Sequence, residues 1–135
     1  MSWRTVSEIF DEAMFKRGAQ KVNSFSKVIG YEWEHFGAIE GDRAKRVETG
    51  DPLVYLILYE CPPGEFPKHI HPEAESGIVL MGSCEITTSQ GKWIAKESDV
   101  YFIEAQKAHK FKFLSKRNML VITFSPAPKE WSAQF

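Results

Sequence analysis

The chain has 135 residues, 43% of them hydrophobic, and a formal net charge of -1. This length suits one domain with a substantial core. A nearly neutral chain has no overall field to attract nucleic acid or an anionic membrane. No apolar run is long enough for a transmembrane helix, and the first residues lack the apolar segment of a secretory signal. We therefore expect a cytoplasmic protein that binds neither nucleic acid nor membrane.

The first twenty residues predict an amphipathic helix. Apolar residues recur there at helical spacing and form one stripe, made of Val6, Ile9, Phe10, Ala13 and Met14. We expect this helix, residues 1–20, to lie across the outside of the domain or against a partner subunit. Together with the edge strands of a β-protein, it favours a homodimer.

From about Val22 onward, short strand-like runs alternate with turn residues. The predicted strands are Arg43–Thr49, Leu53–Glu60, Glu65–His71, Gly77–Met81, Cys84–Thr88, Lys92–Ala95, Val100–Glu104, His109–Leu114 and Met119–Ser125. Even spacing without a second strong helix favours an all-β antiparallel sandwich or barrel. We expect a single domain over residues 1–135, with the barrel at about 43–125 and a tail at 126–135 that wraps the surface.

Two histidines stand two residues apart in one predicted strand. Because side chains alternate along a strand, His69 and His71 are expected to project from the same face. Carboxylates follow at Glu73 and Glu75, and another imidazole is available at His109. Imidazoles grouped with a carboxylate are typical of a divalent transition-metal site.

This segment resembles the first motif of the cupin superfamily, small β-barrels of the jelly-roll type. That motif has a glycine, five residues, H-x-H, three or four residues, a glutamate, six residues and a second glycine. Here Gly64 is followed by four residues rather than five before His69 and His71. Glu75 and Gly82 then follow at the motif's spacing. The departure raises the question of whether His69 still reaches the site.

The second cupin motif is matched at its histidine alone. It has a glycine, five residues, P-x-G, two residues, a histidine, three residues and an asparagine. At those positions this chain has Ser98, Glu104, Gln106, His109 and Phe113. A glycine often supplies a positive φ in such a turn, so its loss puts the turn geometry in question. The resemblance covers roughly residues 50–125 and implies a jelly-roll barrel, also called a double-stranded β-helix.

The resemblance implies a metal centre with four protein ligands: His69, His71, Glu75 and His109. Three imidazoles and one carboxylate suit Mn, Fe, Co, Ni, Cu or Zn without choosing among them. Such a set leaves two positions of an octahedron open for water or substrate. Glu73 is the competing carboxylate. Pro72 bends the chain beside it, and the motif's spacing to Gly82 favours Glu75.

Alternation away from these ligands predicts the walls of a pocket. The residues expected to face inward with them are Pro67, Gly77, Val79, Met81, Phe111 and Phe113. In the run Leu53–Tyr59, either the tyrosines face inward with Ile57, or the alternate set does: Val54, Leu56 and Leu58. A hydroxyl near an open coordination position favours the tyrosines. A mainly apolar pocket suits a small organic molecule with one chelating end.

The resemblance implies a metal-dependent enzyme of the dioxygenase, isomerase, decarboxylase or lyase type, and no residue selects among these reactions. The candidate acid–base helpers are Tyr55, Tyr59 and Glu73. The alternative is a non-catalytic module that senses or stores a ligand or metal. A third hypothesis is a metal-free, sugar-modifying barrel, which would need a His–Asp pair.

Overall fold

The computed structural model describes residues 30–51, 54–71 and 73–125. They form ten strands: β1 (Glu34–His35), β2 (Arg43–Arg46), β3 (Leu56–Cys61), β4 (Gly64–His69), β5 (Ala74–Met81), β6 (Ser83–Thr88), β7 (Gly91–Lys96), β8 (Val100–Ile103), β9 (His109–Phe113) and β10 (Asn118–Ser125). This part of the chain contains no helix, and so none that could cross a membrane. The helix predicted at 1–20 and the tail at 126–135 lie outside the described residues.

The strands form two antiparallel sheets. The larger has the order β1-β2-β3-β10-β5-β8 and the smaller the order β4-β9-β6-β7. The prediction of an all-β antiparallel fold is therefore confirmed. Its bounds differ in places: β1 was not predicted, and the strand expected at Glu65–His71 ends at His69. From β3 onward the chain changes sheet between every two consecutive strands except β6 and β7.

Apolar side chains from both sheets meet in one core. Burial alternates along β3 and β10, so that each strand sends every second side chain into the space between the sheets. Tyr55, Ile57 and Tyr59 are buried whereas Val54 is exposed, which confirms the inward set chosen for this run. Full burial of a large apolar side chain contributes about 1.5–3 kcal/mol, so this alternation fixes the register strongly.

An apolar surface remains on the outer face of the larger sheet. Ile78 and Leu80 of β5 and Val100 and Phe102 of β8 are 41–68% exposed. Ile78 and Val100 are cross-strand partners, so the four side chains belong to adjacent strands. Exposed apolar patches often mark interaction surfaces. The homodimer expected from the sequence stays a prediction.

Asn118 links the two sheets where the chain passes from β5 to β6. Its buried Oδ1 accepts hydrogen bonds from the backbone N–H groups of Ser83, at 3.3 Å, and Ser115, at 3.2 Å. Its Nδ2 donates to the carbonyls of Ser115, at 2.8 Å, and Cys61, at 3.3 Å. Gly82 packs directly against this side chain at a φ of 81°, where a Cβ would collide with Asn118.

We expect Asn118→Ala to lower the free energy of unfolding by about 2–3 kcal/mol, because it leaves buried backbone groups without partners. Urea unfolding followed by circular dichroism measures this. Lys92→Ala, at a well-exposed side chain, is the control and should change stability by less than about 0.5 kcal/mol. Equal stability of wild type and Asn118→Ala would show that the junction does not depend on this side chain.

Candidate metal centre

The four residues expected to bind metal meet at one point between the sheets. His69 ends β4, His71 follows it, Glu75 lies on β5 and His109 begins β9. Their potential ligand atoms all lie within 4.8 Å of one another. Glu75 is 1% exposed and His109 is fully buried. Bonds to a first-row metal are about 2.0–2.2 Å long, so opposite ligands of one ion are about 4.2 Å apart and the cluster has the size of a single site.

Both sheets supply this cluster. His69 and His109 are cross-strand partners in the smaller sheet, whereas Glu75 belongs to the larger one. His71 lies two residues beyond the end of β4 and still converges with His69, as the sequence predicted. Its backbone carbonyl accepts a hydrogen bond of 3.1 Å from the N–H of Gln106, in the loop that leads to His109.

Each imidazole of the cluster is held by a backbone carbonyl. The Nδ1–H groups of His69, His71 and His109 donate to the carbonyls of Pro67, Glu73 and Lys107, each at 2.8 Å. A carbonyl only accepts, so the proton of each neutral ring is on Nδ1. The Nε2 lone pairs are therefore left to face the centre of the cluster, the arrangement typical of metal-binding histidines.

At the centre, hydrogen-bond acceptors face one another. Nε2 of His71 lies 3.1 Å from Oε1 of Glu75, and Nε2 of His109 lies 3.4 Å from the same oxygen. Nε2 of His109 is buried and makes no hydrogen bond. Lone pairs this close repel each other unless a proton or a metal cation lies between them. A proton on His71 would relieve its contact with Glu75, and a metal cation bound here would relieve all of these contacts.

The electrostatics keep two ligands in their metal-binding form. Burial, with the neighbouring His109 adding to it, lowers the pKa of His69 to about 3. Burial works against a charge on Glu75, but contacts with the imidazoles of His109 and His71 outweigh it and keep the pKa of Glu75 below its usual range. Burial also opposes a charge on His71, yet its hydrogen bond to Glu75 and the charge of that carboxylate raise the pKa of His71. Near neutral pH, His69 is neutral and Glu75 ionised, as metal binding needs.

Tyr101 is a site residue that the sequence analysis missed. Its buried hydroxyl donates a hydrogen bond of 2.5 Å to Oε2 of Glu75, the oxygen that does not face the histidines. The ring lies over its cross-strand partner Gly77, where a Cβ would collide with it. A glycine within an apolar strand often marks such a close approach, and this was the available signal. Tyr101 thereby orients the carboxylate from outside the ligand set.

The second cupin motif has lost its glycines, but its turns keep the positive φ values that glycine would favour. Ser98 and Gln106, at the motif's two glycine positions, have φ values of 73° and 62°. For residues with a Cβ this conformation costs about 1–2 kcal/mol. The N–H of Gln106 binds the carbonyl of His71, so this turn holds one ligand directly. His109 follows the turn and reaches the cluster.

Beside the cluster lies a small cavity of about 10 Å³, room for about one water molecule. Its lining residues are Tyr59, Phe66, His69, Glu75, Phe111, Phe113, Leu120 and Ile122. Phe111 and Phe113 were predicted to line the pocket. Val79 is buried, but it does not line this cavity, and Pro67 and Met81 are only half-buried.

Phe66 takes the place predicted for Pro67. Phe66 pairs with Phe111 and His69 with His109, so β4 carries one residue more than β9 between these pairs. This β-bulge reverses the alternation, and both Phe66 and His69 point inward although they are three residues apart. The bulge also places the carbonyl of Pro67 where it receives the Nδ1–H of His69.

The three candidate acid–base helpers differ in their surroundings. The hydroxyl of Tyr59 donates a 2.8 Å hydrogen bond to Oδ2 of the buried Asp42, away from the cluster. The ring of Tyr55 packs against Phe124 and beneath the guanidinium of Arg46. Glu73 is buried next to His71 and stands outside the group of converging ligand atoms.

Fold and site together define a small antiparallel β-sandwich with a cluster of three histidines and a glutamate between its sheets. The chain belongs to the cupin family, since the family model described as Cupin domain matches residues 57–125. None of the curated protein sequences matches this chain.

Solved structures show the same fold at low sequence identity. KdgF from Halomonas sp. has a TM-score of 0.64 at 19% identity and covers 73% of this chain and 91% of its own. An RmlC-like cupin from Shewanella frigidimarina has a TM-score of 0.63 at 16% identity, with coverages of 84% and 96%. A predicted oxalate decarboxylase from Thermotoga maritima has a TM-score of 0.58 at 16% identity, with coverages of 77% and 97%. Matches at such low identity support the fold but do not indicate which reaction, if any, the protein catalyses.

We expect Tyr101→Phe to weaken metal binding about 10- to 100-fold, the usual effect of losing a group that orients a ligand. The variant keeps the ring over Gly77 but leaves Oε2 of Glu75 without its donor. Competition with a chromophoric chelator measures the dissociation constant. Tyr31→Phe, at an exposed tyrosine, is the matched control. An unchanged constant in Tyr101→Phe would show that Tyr101 does not orient Glu75.

The metal-free protein should become less stable as the pH rises through the neutral range. The pKa of His71 is raised in the folded state. Its pairing with Glu75 therefore adds stability that is fully present below the unfolded pKa of about 6.5 and lost as the pH rises through the folded pKa. Thermal unfolding from about pH 6 to about pH 9 should show this loss in wild type but not in His71→Ala. If the melting temperatures of wild type and His71→Ala changed with pH in the same way, the pairing of His71 with Glu75 would not contribute to stability.

Proposed function

We propose that this cupin binds one divalent first-row transition-metal ion and acts on a small organic molecule that coordinates it. The ligands would be His69, His71, Glu75 and His109. The observation that carries the proposal is the buried convergence of three imidazoles and one carboxylate, above all the unpaired Nε2 of His109. A bound divalent cation removes the repulsion among these lone pairs.

The donor set fits such a metal. Three imidazoles and one carboxylate suit Mn, Fe, Co, Ni, Cu or Zn, and an octahedral ion would keep two positions for exogenous ligands. When bound, the metal supplies polarisation of a carbonyl or carboxylate oxygen, or a lowered pKa for a bound water. The reactions compatible with this chemistry are dioxygenation, isomerisation, decarboxylation and elimination by a lyase.

The chain's own residues would prepare the site in three ways. Backbone carbonyls fix the imidazole rings, and Tyr101 holds the carboxylate, so little rearrangement is needed when a ligand arrives. The aromatic side chains of Phe66 and Phe111 line the inner side of the cluster and limit the space there to about one water molecule. His71 is the most exposed ligand, and its side therefore marks the approach route.

The second candidate function is a non-catalytic module that binds a metal or ligand. It is favoured by the size of the cavity, about 10 Å³, and by the commitment of the Tyr59 hydroxyl to Asp42. The metal-free, sugar-modifying hypothesis has less support. Within the described residues, the polar contacts of the three clustered histidines are with Glu75 and backbone carbonyls, not with an aspartate.

Metal content of the purified, untagged protein tests the proposal. We expect about one metal ion per chain in wild type and less than about a tenth of that in His71→Ala and His109→Ala, because each loses a ligand. His35→Ala is the matched control, since that imidazole is well exposed and distant in sequence from the cluster. Wild-type protein that holds no metal and takes none up on reconstitution would contradict the proposal.

Turnover then separates an enzyme from a binding module. Small carboxylates and diketones are incubated with the metal-loaded and metal-free protein, and their consumption is followed by mass spectrometry. Metal-dependent consumption that disappears in His109→Ala supports catalysis. Metal binding without consumption of any member of the panel favours the non-catalytic module.

A further inference from the structure

Glu73 is a buried residue whose carboxylate has one oxygen without a hydrogen bond. The residue is 7% exposed, and its Oε2 makes no hydrogen bond. Within the described part of the chain, no lysine or arginine forms an ion pair with it. Burial of an unpaired carboxylate is strongly unfavourable, so a native structure that keeps one needs a reason.

The position of Glu73 connects it to the metal centre. It lies between two of the proposed ligands, and its backbone carbonyl receives the Nδ1–H of His71 at 2.8 Å. Burial alternates from this residue onward, with Glu75, Gly77 and Val79 also buried, so Glu73 shares their inward face. Its negative charge contributes to the raised pKa of His71, which places the carboxylate within electrostatic reach of that imidazole.

The other polar side chains near the cluster already have partners. The hydroxyl of Tyr101 donates to Glu75, and that of Tyr59 donates to Asp42. Glu73 does not belong to the converging ligand atoms either. Its Oε2 is therefore a buried acceptor left without a hydrogen bond, on a residue two positions after the most exposed ligand, His71.

We propose that Glu73 determines substrate specificity by accepting a hydrogen bond from the substrate. This inference rests on the proposed function and names the substrate class: a small bifunctional molecule that coordinates the metal through an oxygen and presents a hydroxyl or ammonium donor to Glu73. Neighbouring inward positions of a strand are about 7 Å apart, so the donor lies within a few atoms of the metal-bound oxygen. The substrate's donor satisfies the buried carboxylate and explains why the free protein retains it.

Calorimetric titration of the Zn²⁺-loaded protein tests this inference. Acetate, propionate and butyrate are compared with their terminally hydroxylated and terminally aminated counterparts, which vary the spacing of the donor. At the best spacing we expect wild type to bind the donor-bearing molecule about tenfold or more tightly than its parent, because a hydrogen bond to a buried charge discriminates strongly. Glu73→Met should abolish this preference. Glu73→Gln, which loses the charge, should mainly weaken the preference for the amine.

The Zn²⁺ affinity, the melting temperature and a control variant complete the test. The affinity for Zn²⁺ should stay within about threefold of wild type in Glu73→Met; a large loss would make Glu73 part of the metal site and overturn the inference. The metal-free Glu73→Met protein should melt at a higher temperature, because the variant removes an unpaired buried charge. Glu65→Gln, at an exposed carboxylate, should change neither the Zn²⁺ affinity nor the melting temperature.

The two proposals fail in different ways. Wild-type protein that takes up no Zn²⁺ overturns the proposed function and this inference with it. Normal Zn²⁺ uptake with no preference for any donor-bearing molecule, or with a preference that survives in Glu73→Met, overturns this inference and leaves the metal centre intact.

Discussion

The buried carboxylate of Glu75 is the constraint on which the rest of the site depends. An ionised group at this depth is stable only with partners around it, and strands β8 and β9 supply them along with the segment after β4. His71 and His109 approach one oxygen, and Tyr101 binds the other. Because these partners come from both sheets, the carboxylate is satisfied only when the sandwich is assembled. Folding and preparation of the candidate metal centre are thus one event.

The sequence predicted the four clustered residues because His69, His71 and Glu75 follow the spacing of the first cupin motif and His109 matches the histidine of the second. His71 was assigned correctly, although it stands beyond the end of β4 rather than within it. Tyr101 was missed because its contact with Glu75 crosses between β5 and β8, and only the pairing register of Gly77 with Tyr101 brings the two together. Contacts of this kind depend on three-dimensional pairing, which a single sequence does not record.

The fold class was predictable from alternation and turn residues, whereas finer geometry was not. The loss of both motif glycines suggested altered turns, yet Ser98 and Gln106 adopt the left-handed conformation themselves. Tertiary bonds compensate for the local strain at Gln106, whose N–H binds the carbonyl of His71. Residue type is therefore a weaker guide to a turn than the hydrogen bonds that the turn completes, and those bonds appear only after the strands have been placed.

The bulge between Phe66 and His69 has a consequence for how chains of this kind are recognised. Because of the extra residue, the number of amino acids between Gly64 and His69 no longer decides which way His69 points. The spacer is one residue shorter than in the cupin motif, and His69 still reaches the metal-site cluster. A sequence pattern that requires a fixed number of residues between the glycine and the H-x-H pair would miss such chains. A pattern that allows this number to vary would find them.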